Sequence, residues 1–343
     1  MDSQRLEEIM AGLNRTHILV IGDYFLDKYL EIDARLGEPS LETGLIAHQV
    51  TGIRTSPGAA GNVAANVRAL GPQVSALTVI GRDGEGYELR QRLEEMQVNL
   101  DGVIASNARF TPTYTKPMMH ETDGSVHEMS RFDIKNRAPL QSVLEEAVIA
   151  RSRELVPHVQ GVIIADQVPE RNCGVITDRV RQALIALASE QREVIFIADS
   201  RLRIGEYRNI VLKPNEREAY NALGWQAHGA ISLAEAETAG WELGSRTGAA
   251  VLLTMGDQGI LLCTETGCQH ITAVLVRGPI DIVGAGDSTI AGITSALCCG
   301  ASLAEAALFG NLVASVTIRC IGTTGTANQA QVRTALAEWQ AAR

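Results

Sequence analysis

Apolar runs of strand length alternate with segments of helical period along most of this chain, and that alternation restricts the fold more than any other feature. Residues 17–22, 74–80, 161–165, 194–198, 210–212, 250–254 and 260–263 read as short buried strands. Residues 1–16, 63–70, 87–96, 174–188, 287–299, 303–319 and 331–339 read as helices. Such alternation predicts an α/β fold with a mainly parallel sheet covered on both faces. Ligands on these sheets bind beyond the carboxyl ends of the strands. The 343 residues are 45% hydrophobic, enough for a large core, and 32 glycines suit tight strand–helix turns. Segments 29–55 and 109–133 break the pattern, being polar with patchy alternation. Asp123-Gly124, between Met118-Met119 and Val126-His127, is a hairpin-turn signal. We read both segments as a small appended β-sheet; long surface loops are the alternative.

A net charge of −10 argues against a general nucleic-acid or anionic-membrane surface. Glu305 and Asn311 interrupt the longest apolar stretch, so no membrane span is expected, and the cytoplasm is the default compartment. Cys173, Cys263, Cys268, Cys298, Cys299 and Cys320 contain no Cys-x-x-Cys pair; small buried thiols are expected, and no zinc site.

Asp281-Ile-Val-Gly-Ala-Gly-Asp287 carries the strongest chemical signal. Ile290, Ile293 and Leu297 follow at helical spacing, which places a glycine turn at a helix N-terminus, where free N–H groups favour phosphate. Asp287 beside such a pocket can accept a proton from an attacking hydroxyl, or simply cap the helix. Gly22-Asp23-Tyr-Phe-Leu-Asp27 puts two carboxylates just past a strand, at a ligand crevice or a solvated turn. Ser56-Pro-Gly58-Ala-Ala-Gly-Asn62 is a second glycine turn feeding a helix. Asn215 and Glu218 suit hydrated magnesium near phosphates, and fit a capping box equally well. Gly81-Arg-Asp-Gly84-Glu-Gly86 has the wrong spacing for a dinucleotide fingerprint, which argues against an oxidoreductase.

In this order the motifs resemble the PfkB (ribokinase-like) carbohydrate kinases over residues 16–335. Asp281–Asp287 looks like that family's C-terminal signature. Pro57-Gly-Ala-Ala-Gly-Asn62 looks like its N-terminal glycine signature, with Ala59 where a second glycine is usual. Asn215-x-x-Glu218 matches its magnesium-associated motif. The opening Gly22–Tyr29, with Thr115-Lys116-Pro and Met129-Ser-Arg131-Phe-Asp133, resembles the heptose-7-phosphate kinase subgroup, here without a nucleotidyltransferase domain. Two stretches depart from that subgroup where sugar contacts are expected: Leu36–Glu42, and Ala165-Asp166-Gln-Val-Pro-Glu170.

The resemblance implies one ribokinase-like kinase domain over 1–343, a three-layer α/β/α sandwich with 29–55 and 109–133 as a β lid. It implies an ATP-dependent sugar kinase with Asp287 as base and the backbone of Gly284, Ala285 and Gly286 as anion hole. Asp27, Gly58 and Asn62, and more weakly Lys116, Arg131, Asp166 and Gln167, fall at sugar-side positions. Asn215, Thr254, Gly256, Gly259 and Asn311 fall on the nucleotide side. Asn215 and Glu218 would hold Mg²⁺. Asp281 would ligate a monovalent cation such as K⁺, or brace the loop. The implied partner is a sugar or sugar phosphate, with a second copy through the lid. A nucleoside kinase of the same fold and a catalytically silent sugar-binding protein are the alternatives.

Overall fold

The structure is a computed structural model and describes residues 1–342. Its main sheet has nine strands in the order 267–272, 259–264, 251–254, 211–212, 195–200, 161–166, 17–22, 73–81, 99–106. From 251–254 to 99–106 every neighbour pairs in parallel; the two strands at the other edge are antiparallel. Alternate side chains of His17–Gly22 explain the three layers: Ile18 and Val20 enter one core, Leu19 and Ile21 the other. The first core packs helices Ser3–Leu13, Ala60–Leu70, Gly84–Glu95, Ala285–Cys298, Leu303–Thr317 and Gln329–Ala341. The second packs Ser142–Leu155, Asp178–Glu190, Glu216–Leu223 and Leu233–Thr247. Ile290 and Ile293 are fully buried against Phe309 and Val313. Each such side chain contributes roughly 1.5–3 kcal/mol, which holds the helix that begins at the glycine turn.

The two polar segments form a separate sheet. Tyr24–Asp33 pairs antiparallel with Val50–Ala59 and parallel with Thr113–His120, which carries Val126–Glu128 and Phe132–Ile134 on its far edge. The hairpin turns at Glu121–Ser125 around Asp123-Gly124, where Gly124 has φ +86°. The sheet starts earlier and ends later than the 29–55 reading, because strand pairing continues to Tyr24 and Ala59.

The cysteine expectation needs correction. Cys263 and Cys268 stand opposite each other across an antiparallel pair, with Cα atoms 4.1 Å apart, and form a disulfide. The tight turn between Thr264 and Gly267 creates that register without any Cys-x-x-Cys spacing. Cys173, Cys298, Cys299 and Cys320 are free. Among the described residues no helix is long and apolar enough to cross a membrane.

Candidate active site

The helix Ala285–Cys298 starts at Gly284, which adopts φ +80°, ψ 1°. That left-handed conformation is open to glycine and turns the chain sharply into the helix. The N–H of Ala285 donates back to Ile282 O at 3.1 Å. The N–H groups of Gly284 and Gly286 make no hydrogen bond among the described residues and remain for an anion. Of the three N–H groups named from the sequence, that of Ala285 is used by the turn itself.

Asp287 is the third residue of this helix and is partly buried. Burial, then the negative charge of Asp199, pushes its pKa up to about 7, against the pull of Asn62, Lys213 and Arg201. Asn62 Nδ2 donates to Asp287 Oδ2 at 3.2 Å. Asn62 stands in the first turn of Ala60–Leu70, and the lid strand Val50–Ala59 runs straight into that helix. The strand thereby sets Gly58 beside Asp27: a Cβ on Gly58 would lie 2.7 Å from Asp27 Oδ2. Asp27 Oδ1 pairs with Lys116 Nζ at 3.2 Å, and Lys116 also donates to Tyr29 Oη. Arg131 stands by Tyr114, which pairs in strand register with Asp27. It is held by Asp133 at 2.6 Å and stacks over Tyr114 at 4.5 Å.

Lys213, at the end of the strand Val211–Leu212, is buried, and its Nζ lies 3.6 Å from where a Cβ on Gly286 would be. Burial opposes its charge, yet Asp199 at 3.1 Å and Glu218 hold its pKa above the ordinary value. Lys213 stood in the Lys-Pro-Asn run of the sequence without an assigned role. Asp199 and Arg201 were passed over, though an Asp-Ser-Arg sequence directly after a buried strand is a signal for the same crevice.

Asn215 and Glu218 form the capping box: Asn215 N–H donates to Glu218 Oε2, and Glu218 N–H donates to Asn215 Oδ1, both at 2.8 Å. Burial and Asp199 push the Glu218 pKa up to about 7. Glu218 Oε1 makes no hydrogen bond among the described residues. No cluster of three or more histidine, cysteine or carboxylate side chains is present among them. Those features fit Mg²⁺, which is bound through one or two carboxylates, water and substrate phosphates. They would not fit a metal needing a full protein cage.

Three further residues named from the sequence make structural contacts in the fold. Asp166 is 1% exposed and its oxygens accept from Arg203, Ser200 and Tyr207. Its carboxylate is committed to these three partners beneath the cleft. Asp281 accepts the N–H groups of Val283 and Gly322 at 3.0 Å each, contacts that brace the loop, one of the two roles expected of it. Asn311 Nδ2 donates to the carbonyls of Ile271 and Thr272 and fixes the sheet edge. Thr254 is hydrogen-bonded to Pro214 O, which brings the turn bearing Gly256 and Gly259 beside Asn215. Gln167 contributes its N–H to Asp23, whose buried carboxylate is pushed up to about 6 by burial and Asp166.

A glycine-turn helix terminus with an adjacent carboxylate, in a mainly parallel α/β fold that carries a second small β-sheet, defines a sugar-kinase class of site. The family model described as pfkB family carbohydrate kinase matches residues 16–330, and the chain belongs to that family. The chain is 29% identical over 325 residues to the bifunctional protein HldE of Geobacter metallireducens and 28% identical over 327 residues to that of Geotalea uraniireducens. Each alignment covers 94% of this chain and 64% of the relative, so the chain spans under two thirds of the length of these proteins. Phosphofructokinase-2 of Escherichia coli, solved with potassium, shares the fold at TM-score 0.72 and 20% identity, covering 95% of this chain and 99% of that one. Ribokinase of Arabidopsis thaliana, solved with ribose and ATP, does so at 0.67 and 20%, covering 94% and 98%.

Proposed function

We propose that this chain transfers the γ-phosphoryl group of ATP to a hydroxyl of a sugar or sugar phosphate. One observation carries the reading: Asp287, with its raised pKa, stands beside the free N–H groups of Gly284 and Gly286 and within hydrogen-bond reach of Asn62. In the transfer the acceptor oxygen bonds to the γ-phosphorus, the bond to the ADP oxygen breaks, and the hydroxyl proton passes to Asp287. Gly284 and Gly286 receive the phosphoryl oxygens. Asp27, Gly58 and Asn62 hold the acceptor. The turn with Thr254, Gly256 and Gly259 faces the nucleotide. Mg²⁺, when bound, neutralises phosphate charge, and Glu218 is the residue here to hold it. Asp281 keeps the anion-hole loop in shape, alone or together with a monovalent cation.

Lys116, paired with Asp27, and Arg131, stacked over the Tyr114 that pairs in register with Asp27, favour an acceptor that already carries a phosphate. Coupled-enzyme detection of ADP across a panel of free and phosphorylated sugars tests both statements. Turnover on a sugar phosphate above that on its free form is the expected result. ATP binding with no acceptor turned over would instead favour a silent sugar-binding protein, and preference for nucleosides would favour the nucleoside-kinase alternative.

A further inference from the structure

We infer that Arg201 is a catalytic residue of this chain, the guanidinium that neutralises the γ-phosphoryl group as it passes to the acceptor. The inference rests on the sugar-kinase reading above.

Arg201 is the first residue past the strand Ile195–Ser200, at the carboxyl edge of the sheet. Its surroundings are pinned. Its own N–H donates to Asp166 O at 3.1 Å. Ser200 Oγ donates to Asp166 Oδ2 at 2.6 Å, and Arg203 donates to Asp166 Oδ1 at 2.6 Å. Asp199, two positions earlier, pairs with Lys213. The backbone of Arg201 is therefore immobilised from both sides. Its side chain is exposed and makes no ion pair or hydrogen bond among the described residues.

Four other cations near the cleft have carboxylate partners: Lys213 has Asp199, Lys116 has Asp27, Arg131 has Asp133 and Arg203 has Asp166; Arg109 is taken up by the carbonyls of Ala138 and Cys173. A transferring phosphoryl group spreads negative charge over three equatorial oxygens, and a planar guanidinium can bond two of them at once. Arg201 is the cation available for that. Asp199, two residues before Arg201, pairs with Lys213 at 3.1 Å, and Lys213 Nζ lies 3.6 Å from where a Cβ on Gly286 would be, so the strand end that carries Arg201 adjoins the glycine turn; in keeping with that, its charge opposes the upward shifts of Asp287, Glu218 and Tyr114. Asp199, Lys213, Arg201 and the Asn62 amide are the groups that set the charge around Asp287.

The test compares the whole chain with Arg201→Ala and Arg201→Lys, using the best acceptor from the sugar panel. Removal of a guanidinium that acts only on the transition state lowers kcat by about 10²–10³ and leaves both KM values within about threefold. The acid limb of the pH–rate profile should move to higher pH, because Asp287 loses a nearby positive charge. Guanidinium chloride at millimolar concentration should restore part of the Arg201→Ala rate, and Arg201→Lys should fall between. A kcat within threefold of wild type would overturn the inference, as would a rise confined to the acceptor KM. A second measurement needs no acceptor: calorimetry of ADP with magnesium, with and without aluminium fluoride. Arg201→Ala should lose at least about tenfold in affinity for the fluoride-containing mimic and little for ADP alone. Equal affinities for the mimic would overturn the role of Arg201 even where the panel yields no acceptor, a result that by itself counts only against the sugar-kinase reading.

Discussion

Asn62 Nδ2 donates to Asp287 Oδ2 across 3.2 Å, joining the first turns of two helices whose residues lie 225 positions apart. The contact links the lid to the proposed base, because the lid strand Val50–Ala59 feeds directly into the helix of Asn62. It also lowers the Asp287 pKa, opposing the burial and the Asp199 charge that raise it. The balance leaves the carboxylate titrating where a general base is most effective.

Asp287→Asn should lower turnover by about 10²–10⁴ while ATP affinity stays within a few fold. The wild-type rate should fall as pH drops through about 7, where Asp287 takes up its proton. Stability should show the opposite trend. The folded chain holds this proton up to about pH 7, whereas the ordinary value is 3.8. The contribution is therefore complete below about pH 4 and is lost as pH rises through 7. Asp287→Asn should melt above wild type at pH 8, with the gap closing at pH 5. A mutant keeping a tenth of the wild-type turnover would rule out Asp287 as the base.

Gly58→Ala should act on the acceptor alone. Its Cβ would sit 2.7 Å from Asp27 Oδ2 and 3.6 Å from Phe25 Cβ, so Asp27 must shift from its position on Lys116. Acceptor KM should rise roughly tenfold with the KM for ATP unchanged, at a stability cost of about 1–3 kcal/mol. Steady-state kinetics with each substrate varied in turn decides this; equal effects on both substrates would place Asp27 outside the acceptor site.

Ala59→Gly should stabilise the protein. Ala59 has φ +52° and ψ −119°, a conformation that side chains with a Cβ rarely adopt. Such strain costs on the order of 1–3 kcal/mol, while glycine gives back about 0.5–1 kcal/mol through the unfolded state. A net gain of about 1 kcal/mol is expected in denaturant titration. A loss would mean that the turn into the Asn62 helix draws more from the alanine methyl than its backbone costs.

Glu218→Gln keeps a partner for the capping box, since glutamine can also accept the Asn215 N–H. It removes a buried carboxylate that titrates at about 7 beside Asp199. The melting temperature should hold or rise, and the magnesium concentration for half-maximal rate should increase severalfold. Unchanged magnesium dependence would leave Glu218 with the capping role only.

The parallel sheet was legible because its strands are continuous apolar runs, and the hairpin of the second sheet because Asp123-Gly124 marks a turn by local chemistry. The strand Asn99–Ser106 and the helices Ser142–Leu155 and Leu233–Thr247 were not read; polar residues interrupt the first, and alanine, glycine and glutamate blur the period of the last. At the site, the glycine turn before Asp287, the Asn62 turn and the Asn215–Glu218 spacing were all visible as motifs. Their contacts were not. Nothing in the sequence around Asp166 announced its contacts with Arg203, Ser200 and Tyr207. Lys213, Asp199 and Arg201 gained meaning only beside Asp287. Turns, caps and periodicity depend on neighbours a few residues away, so sequence alone determined them. Whether a carboxylate braces the core or titrates near 7 depends on desolvation and on which charges the fold brings within a few ångströms. Tertiary structure decided that.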